Sequence, residues 1–492
     1  MTTDMQSPLD PEPVGITEDH GARNRLVIGL LLVSAFVVIL NETLMIVALP
    51  HLMKDLGVTA SSAQWLSTAF MLTMAVVIPI TGFLLQRLNT RPVFILAMSL
   101  FCLGTLISAL APGFVILVIG RIVQASGTAI MMPLLMTTVM TLVPPESRGK
   151  TMGNISIVIS VAPALGPTIS GLILSVLDWR WMFLLVLPIA LGALALGAAR
   201  IQNVSVPNKA PIDILSIFLS AIGFGGFVYG LSGLGEAALH VPVISPWIPL
   251  LIGAAVIAIF IMRQRFLERE NRALLDMRTL SHRRFTIAMA MMAILMMSMF
   301  GAFILLPIYL QNVLGLTTLQ AGLLLLPGGL IMGLCAPTVG SLFDKHGPVP
   351  LVIPGAILLS LALWGLTFIQ RDTSVWLLLI AHLTLSVGLA LMFTPLFTVS
   401  LGALPPHLYS HGSAMLGATQ QVAGAAGTAL FVAIMTLESA GLAAAGADLH
   451  SVTTGGIKAA FLCGAVISLG AVVAAFFIRK PEAPSPGTVG SH

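Results

Sequence analysis

Apolar segments of membrane-spanning length recur along the whole chain, and short polar stretches separate them. A segment of about 20 apolar residues crosses roughly 30 Å of hydrocarbon as an α-helix. The pattern predicts fourteen spans, at approximately 27–49, 65–85, 92–111, 114–142, 151–176, 181–199, 214–234, 246–262, 285–310, 319–343, 349–369, 375–401, 412–437 and 457–478. A transmembrane β-barrel would show alternating segments of about 10 residues instead, and the chain has none. We therefore predict an all-α integral membrane protein.

Positive charges are distributed unevenly between the two sets of loops. An even number of spans puts both termini on one side of the membrane. If that side is the cytoplasm, the cytoplasmic segments hold eighteen of the 23 lysines and arginines, and the external segments hold four. Cytoplasmic loops are enriched in lysine and arginine. The sequence thus predicts two cytoplasmic termini, with tails at 1–26 and 479–492, in a multi-pass membrane protein.

A short internal repeat suggests how the spans are grouped. The sequence GFLLQR at 82–87 ends the second span, and GSLFDK at 340–345 ends the tenth. If these spans correspond, spans one to six match spans nine to fourteen. The predicted units are a six-helix bundle at 27–200, a linker with helices seven and eight at 201–284, and a second bundle at 285–478. Paired bundles of this kind are a transporter architecture.

Composition and motifs exclude several other classes. The chain is 57% hydrophobic and 9% charged, with a mean hydropathy of +1.02, whereas soluble domains are about 25% charged. The net charge of +4 predicts no nucleic-acid partner. No GxxxxGK[ST], HExxH or GxSxG motif is present, so we expect neither an enzyme nor ATP as the energy source. The three cysteines fall in apolar spans, and we expect no metal or cofactor.

Glu42 is the acidic residue that lies deepest in a span. The other eighteen of the nineteen acids lie in tails, in loops or near span ends. A carboxyl group away from water holds a proton more readily than one in solution, and an ionisable group at membrane depth indicates function by default. We expect Glu42 to load and release a proton. A purely structural role, joining the first and fourth spans by hydrogen bonds, is the alternative.

Arg121 is the predicted counterpart of Glu42. Both residues lie about 10 Å below the outer boundary, given a rise of 1.5 Å per helical residue. This shared depth allows them to pair directly, through water or through Gln124. A fixed structural ion pair is the alternative to a role in proton coupling.

Seven segments, in order along the chain, carry a family resemblance. They are Leu40 to Pro50, Gly82 to Arg91, Gly120 to Gly127, Gly153 to Gly171, Asp178 to Phe183, Tyr309 to Gly328 and Gln420 to Gly427. Together they resemble the major facilitator superfamily, and specifically its fourteen-span drug:proton antiporters of the EmrB/QacA type. Asn41 followed by Glu42, and Gln86 with Asn89, replace the usual Asp and Gly residues and resemble the lincomycin-resistance branch. The resemblance implies the MFS fold, with two six-helix bundles and two inserted helices.

The resemblance also implies roles for two sets of residues. The antiporter motif, which the family associates with export, matches Gly153, Ala162, Gly166, Pro167, Ser170 and Gly171; a generic helix-packing face is the alternative. A cytoplasmic gate would contain Gly82, Gln86, Arg87, Arg91, Gly340, Asp344 and Lys345. Topology signalling by positive charge explains the basic members of that set equally well.

Other polar residues within the spans are candidates for lining a substrate cavity. They are Asn41, Gln124, Asn154, His382, Gln420 and Gln421. Such groups also commonly form hydrogen bonds between helices without touching a substrate. Both readings stay open at the level of sequence.

The expected function is proton-coupled export of lipophilic or cationic drug-like compounds by alternating access, with the resemblance supplying the drug class and the direction. Its expected partners are protons, small hydrophobic or cationic molecules and the lipid bilayer, and we expect a monomer. One alternative is an exporter of a specific endogenous metabolite or lipid. Another, from a different class, is a membrane scaffold or sensor that transports nothing.

Overall fold

The computed structural model describes residues 20–58, 60–203, 213–237, 245–270, 272–370 and 372–478. These residues form fourteen long α-helices: α1 His20–Leu56, α2 Ala60–Arg87, α3 Thr90–Ala109, α4 Phe114–Leu142, α5 Arg148–Val176, α6 Arg180–Arg200, α7 Ile214–Ala237, α8 Trp247–Leu267, α9 Arg283–Asn312, α10 Thr318–His346, α11 Val349–Leu366, α12 Val375–Gly402, α13 Tyr409–Ala444 and α14 Leu449–Ala475. By length and composition, all fourteen can cross a membrane. Residues 1–19 and 479–492 of the expected tails lie outside the described residues.

Several helices extend further than the apolar pattern predicts. The first helix is predicted at 27–49 but runs over His20–Leu56, and the thirteenth is predicted at 412–437 but runs over Tyr409–Ala444. Hydropathy marks the part of a helix at hydrocarbon depth, whereas backbone hydrogen bonding continues into polar residues such as Lys54 and Asp55. Local signals fix other ends. Thr317 and Gln320 form a capping box at the start of α10, and Gly347, with φ of 78°, ends it.

Helices α1–α6 form one group and α9–α14 form a second, with the same internal pairing. In the first group α1 packs on α5, α2 on α4, and α3 on both α4 and α6. In the second group α9 packs on α13, α10 on α12, and α11 on both α12 and α14. The fold is thus two six-helix bundles built on one plan, with α7 and α8 inserted between them.

The inserted helices form a hairpin beside the junction of the two bundles. Helices α7 and α8 cross closely, since Gly253 leaves no room for a Cβ against the backbone of Phe227. Helix α7 also packs against α2 of the first bundle and α13 of the second. Tyr229 stacks on Trp65 of α2, with ring centroids 5.8 Å apart. The hairpin therefore contacts both bundles on the side where α2 and α13 meet.

The two bundles also contact each other directly, mainly near the end of the molecule at which α1 begins and α14 ends. We call this end the terminal face. Helix α5 lies along α10, and α2 lies along α13. Two hydroxyl pairs add polar contacts between the bundles. Thr137 and Ser413 (the α13 pair) have their oxygens 2.8 Å apart, and Ser156 and Thr394 (the α12 pair) have theirs 2.7 Å apart.

An indole and a guanidinium fasten the first bundle at the opposite face. The Trp179 indole N–H donates to Asp55 at 2.7 Å. Arg180 lies over the Trp179 ring at 4.3 Å and donates to the carbonyl of Ala111 at 3.2 Å. The start of α6 is thereby tied to the end of α1 and to the turn between α3 and α4.

Candidate transport site

Glu42 lies within α1, where it is partly exposed. The next residue towards the N-terminus, Asn41, is only 1% exposed. Helix α1 packs against α4, α5 and α6. The carboxyl group of Glu42 is within electrostatic range of the Arg121 guanidinium on α4, although no ion pair with an N–O distance of 4.0 Å or less joins them in the described part of the chain.

Arg121 is 1% exposed and is held by neutral groups. Its Nη1 donates to the side-chain oxygen of Gln124 at 2.7 Å and to that of Asn41 at 3.5 Å. Its guanidinium carbon lies 4.1 Å from the centre of the Phe70 ring, a cation–π contact. Within the described residues its Nε–H has no hydrogen-bond partner. The charge is therefore positioned firmly but is not neutralised by a bound carboxylate.

Gln124 connects this arginine to α3. Its amide nitrogen donates to the Thr105 hydroxyl at 2.7 Å. The connection requires α3 and α4 to cross closely, and Gly104 leaves no room for a Cβ against the backbone of Gln124. Thr105 and Phe70 were not among the predicted site residues, because a threonine or a phenylalanine in an apolar span is unremarkable in sequence. Gly104 of α3 also lies against the carbonyl oxygen of Gly120 on α4. These two glycines are the feature of the sequence that points to a close crossing next to Thr105.

Helix α5 presents one face to α1, directly after Glu42. Gly166 lies against Thr43 with no space for a Cβ, and the Ser170 hydroxyl donates to the carbonyl of Leu44 at 2.9 Å. Ala162 is fully buried. Gly171, by contrast, has no neighbour within 4 Å of a Cβ position, and the side chain of Pro167 lies outside the described part of the structure. The predicted small-residue face is therefore a contact within the first bundle.

Another face of α5 contacts α10 of the second bundle. Gly153 packs against the backbone of Ala336, and Gly329 lies against Ala164. Helix α5 therefore lies between the segment that follows Glu42 and the junction of the two bundles. A displacement of α5 would affect both regions.

Asp344 and Gly340 lie where α5 meets α10 at the terminal face. The Asp344 carboxylate accepts hydrogen bonds from the backbone N–H groups of Gly149 and Lys150, at 2.7 and 2.8 Å. These donors belong to the first turn of α5, where N–H groups lack helical partners and negative charge is favoured. Gly340 and Gly149 meet with no room for a Cβ on either side. Lys345 is the next residue of α10.

At the contact between α2 and α13 at the same face, an amide stands where the other contact has a carboxylate. Gln86 donates from its amide to the carbonyl of His407 at 2.9 Å. A Cβ at Gly82 would lie 3.2 Å from that of Ala414. Arg87 ends α2. Arg91 is the second residue of α3, and its backbone N–H donates to Asn203 at 3.2 Å. The two sides of the junction are thus held by different chemistry.

The remaining predicted cavity residues lie in different environments. His382 is 2% exposed, and its Nε2 lies 3.0 Å from the carbonyl oxygen of Leu325, which joins α12 to α10. Gln421 donates to the Met74 sulfur at 3.8 Å, across from α13 to α2. Gln420 is partly buried, whereas Asn154 is exposed. Four of the predicted polar groups, Asn41, Gln124, His382 and Gln421, therefore form contacts between helices.

Two six-helix bundles on one plan, closed against each other near one face, define a polytopic membrane protein of the transporter class. A comparison with protein families identifies residues 31–428 as matching the Major Facilitator Superfamily. The chain belongs to this family, whose members are transporters rather than enzymes.

Relatives with curated names agree with this assignment. The chain is 40% identical over 464 residues to the lincomycin resistance protein LmrB of Listeria monocytogenes, covering 93% of this chain and 97% of that protein. It is 30% identical over 447 residues to a multidrug resistance protein B homolog of Mycobacterium tuberculosis, covering 88% and 82%. The human organic anion transporter MFSD10 has a similar fold, with a TM-score of 0.66 at 16% identity, over 92% of this chain and 99% of that chain.

Proposed function

We propose that this protein is a proton-coupled exporter of lipophilic or cationic drug-like compounds, working by alternating access in a bacterial cell membrane with both termini in the cytoplasm. In this scheme the terminal face is cytoplasmic. Glu42 takes a proton from outside as substrate leaves there, and releases it inside before the next substrate binds. Relatives named for lincomycin and multidrug resistance support the drug class.

The observation that carries the proposal is that Glu42 lies within electrostatic range of a buried arginine that forms no ion pair among the residues the structure describes. Within the described residues, Arg121 is held by Gln124, Asn41 and Phe70, and its Nε–H is left without a partner. A nearby carboxyl group can therefore change its charge without breaking a tight ion pair. The ionised carboxylate is attracted to Arg121. The protonated group is neutral, and in this form it carries the proton while the bundles tilt from the outward-open to the inward-open state. A cationic substrate would compete with Arg121 for the same carboxylate.

The contacts at the terminal face support the second half of the cycle. A few hydrogen bonds close that face: Asp344 of α10 accepts from the first turn of α5, and Gln86 of α2 donates to the carbonyl of His407. Such bonds can exchange with water when the bundles tilt apart. In the proposed cycle, closure here corresponds to the state in which the binding region opens to the opposite face, which in the proposed orientation is the outside.

The experiment compares wild-type protein with Glu42→Gln in proteoliposomes that carry an internal pH dye. Ethidium, a lipophilic cation, is the probe, and the measured quantity is ethidium-dependent proton movement. Glutamine has the shape of glutamate but no titratable proton, so we expect the rate to fall about tenfold or more. The matched control is Glu438→Gln, which changes an exposed acid on α13 and should keep the wild-type rate.

Two outcomes would count against the proposal in different ways. If Glu42→Gln moves protons as fast as wild type, Glu42 is not the coupling group. If wild-type vesicles move no protons with ethidium, and none with a panel of dyes and antibiotics, the exporter serves a specific endogenous compound or does not transport at all.

A further inference from the structure

The segment between α8 and α9 is largely buried at the terminal face and is not an exposed loop. Residues 273–277 and Thr279 are buried, although they form only irregular chain and a short 3-10 turn at Met277–Ser281. Buried irregular backbone needs partners for its polar groups, because water cannot reach them. We call residues 272–282 the linker segment.

Gln264 of α8 supplies those partners. It is fully buried, and its side-chain oxygen accepts the backbone N–H groups of Leu274 and Leu275, at 2.7 and 3.2 Å. Its amide nitrogen donates to the Ser216 hydroxyl of α7 at 2.7 Å. One side chain therefore joins both helices of the hairpin to the linker segment.

Two carboxylates fix the rest of the segment. Asp276 caps the 3-10 turn and forms an ion pair with Arg278 at 2.6 Å, and Glu268 accepts the backbone N–H of Met277. Burial alone would raise the pKa of Asp276, but hydrogen bonds from the Arg278 side chain and backbone lower it overall. The turn therefore keeps its ionised carboxylate under ordinary conditions.

The linker segment is pressed against the start of α13. His411 is buried and faces the backbone of Leu274 and the carboxylate of Asp276. The Thr279 hydroxyl lies 3.4 Å from the Met415 sulfur. On its other side this turn of α13 meets α2, where a Cβ at Gly82 would lie 3.3 Å from the Nδ1 of His411.

We propose that Gln264 is a positioning residue for the junction between α13 and the first bundle: it holds the linker segment in place, and the linker segment presses the start of α13 onto α2 and α4. The inserted hairpin then has a role in setting the closed terminal face. Among the described residues, α7 packs on α2 and α13 rather than on α5 or α10, so we expect the effect on one side of the junction.

The two hydroxyl pairs make this side-specific effect measurable. One variant carries Thr137→Cys and Ser413→Cys in the α13 pair, and the other carries Ser156→Cys and Thr394→Cys in the α12 pair. Both are made in a protein whose three native cysteines, Cys102, Cys335 and Cys463, have been changed to serine. The hydroxyl separations of 2.8 and 2.7 Å bring each cysteine pair close enough to form a disulfide. The rate of thiol loss after addition of an oxidant reports how often each contact is closed.

Gln264→Leu keeps the bulk of the side chain but leaves the N–H groups of Leu274 and Leu275 without acceptors. Because unsatisfied buried groups are costly, we expect disulfide formation in the α13 pair to slow about fivefold or more. The α12 pair should keep its wild-type rate, which also shows that the variant is folded. Thr279→Val, a milder change on the linker segment, should slow only the α13 pair, by a smaller factor.

The proposal is overturned if Gln264→Leu leaves the α13 pair at its wild-type rate, or if it slows both pairs equally. The second result would mean that Gln264 stabilises the molecule as a whole. Neither measurement uses substrate or a proton gradient, so the outcome is independent of the proposed transport function.

Discussion

At the scale of single residues, the side chain of Arg121 is held in place by contacts with several neighbouring side chains. The edge of the guanidinium donates hydrogen bonds to Gln124 and Asn41, and the flat face of the guanidinium lies over the Phe70 ring. A planar guanidinium can do both at once, whereas an ammonium group is a point charge on a flexible stem. The position therefore depends on the shape of arginine as well as on its charge.

Arg121→Lys tests this dependence on shape. Lysine keeps the positive charge but cannot reproduce the contact with Phe70 together with the bonds to Gln124 and Asn41. We expect ethidium-dependent proton movement in proteoliposomes to fall about tenfold. Arg269→Lys, at an exposed position after α8, is the control and should be neutral. A wild-type rate for Arg121→Lys would show that charge alone is sufficient.

Sequence reasoning reached part of this site. Equal depth in two spans predicts that Glu42 and Arg121 lie near one another and meet directly, through water or through Gln124. The direct contact of Arg121 with Asn41, and the contribution of Phe70, depend on how α1 and α2 rotate against α4. Apolar periodicity says little about that rotation when a helix is apolar all round.

At the scale of elements, α5 and α10 meet along a row of small residues. Gly149, Gly153 and Ala164 on α5 oppose Gly340, Ala336 and Gly329 on α10. Small residues let two helix backbones approach closely in a membrane protein. The row of contacts ends at the terminal face, where Asp344 accepts hydrogen bonds from the first turn of α5.

Gly340→Ala should open this side of the junction selectively. The added methyl group would meet the carbonyl oxygen of Gly149, a backbone atom that cannot turn away. We expect disulfide formation in the α12 pair to slow about fivefold, and the α13 pair to keep its rate, because overpacking at a tight contact costs about 1–3 kcal/mol.

The control for this change is Gly192→Ala on α6, where a Cβ has no neighbour within 4 Å. It should leave both pairs at their wild-type rates. Equal slowing of the two pairs by Gly340→Ala would show that the two sides of the junction open together rather than separately.

The elements themselves were largely predictable, and so were some of their ends: the fourth helix is predicted at 114–142 and runs over Phe114–Leu142, whereas the first and the thirteenth extend beyond the predicted spans. All fourteen apolar segments correspond to helices. The linker segment escaped prediction because its burial comes from tertiary contacts. Gln264 and Asp276 are polar residues in the most charged part of the chain, where a solvated loop is the ordinary expectation. No sequence pattern marks them as buried partners of α13.

At the scale of the whole molecule, an ion pair between Arg263 and Asp213 joins α8 to the start of α7. Arg263 donates two hydrogen bonds of 2.7 Å to the carboxylate of Asp213, and Ser216 adds further bonds. The bonds from Arg263 are the main reason that the pKa of Asp213 falls to about 2; burial acts in the opposite direction, and Ser216 assists. The pair sits at the terminal face, close to Gln264.

The lowered pKa fixes how this pair should respond to pH. A carboxyl whose folded-state pKa is depressed contributes stability above its unfolded value of about 3.9 and loses it as the pH falls through the folded value. We therefore expect Asp213→Asn to lower the melting temperature of the detergent-solubilised protein by the same amount at pH 5 and at pH 8.

Glu270→Gln is the matched control, because Glu270 pairs with Arg272 at an exposed site, where ion pairs contribute only about 0–1 kcal/mol. It should change the melting temperature little at either pH. A destabilisation by Asp213→Asn that disappears at pH 5 would mean that the carboxyl is already protonated there.

The repeated plan of the two bundles was visible in sequence only as the match between residues 82–87 and 340–345. The structure gives the two segments different partners, since Gln86 reaches a carbonyl and Asp344 reaches backbone N–H groups. The exchange of an acid for an amide reverses the direction of the hydrogen bond. A pair of symmetrical folds can thus close with unequal strength on its two sides.

The composition of the α5–α10 row has a consequence for how easily the molecule can cycle. Glycine and alanine place little side-chain volume between the helices, so the backbones lie in direct contact and no long side chains interlock across the seam. A seam of leucine or phenylalanine would interlock side chains that have to change rotamer each time the helices part. A seam of small residues therefore suits the proposed alternating access, in which the two bundles separate and rejoin in every transport cycle.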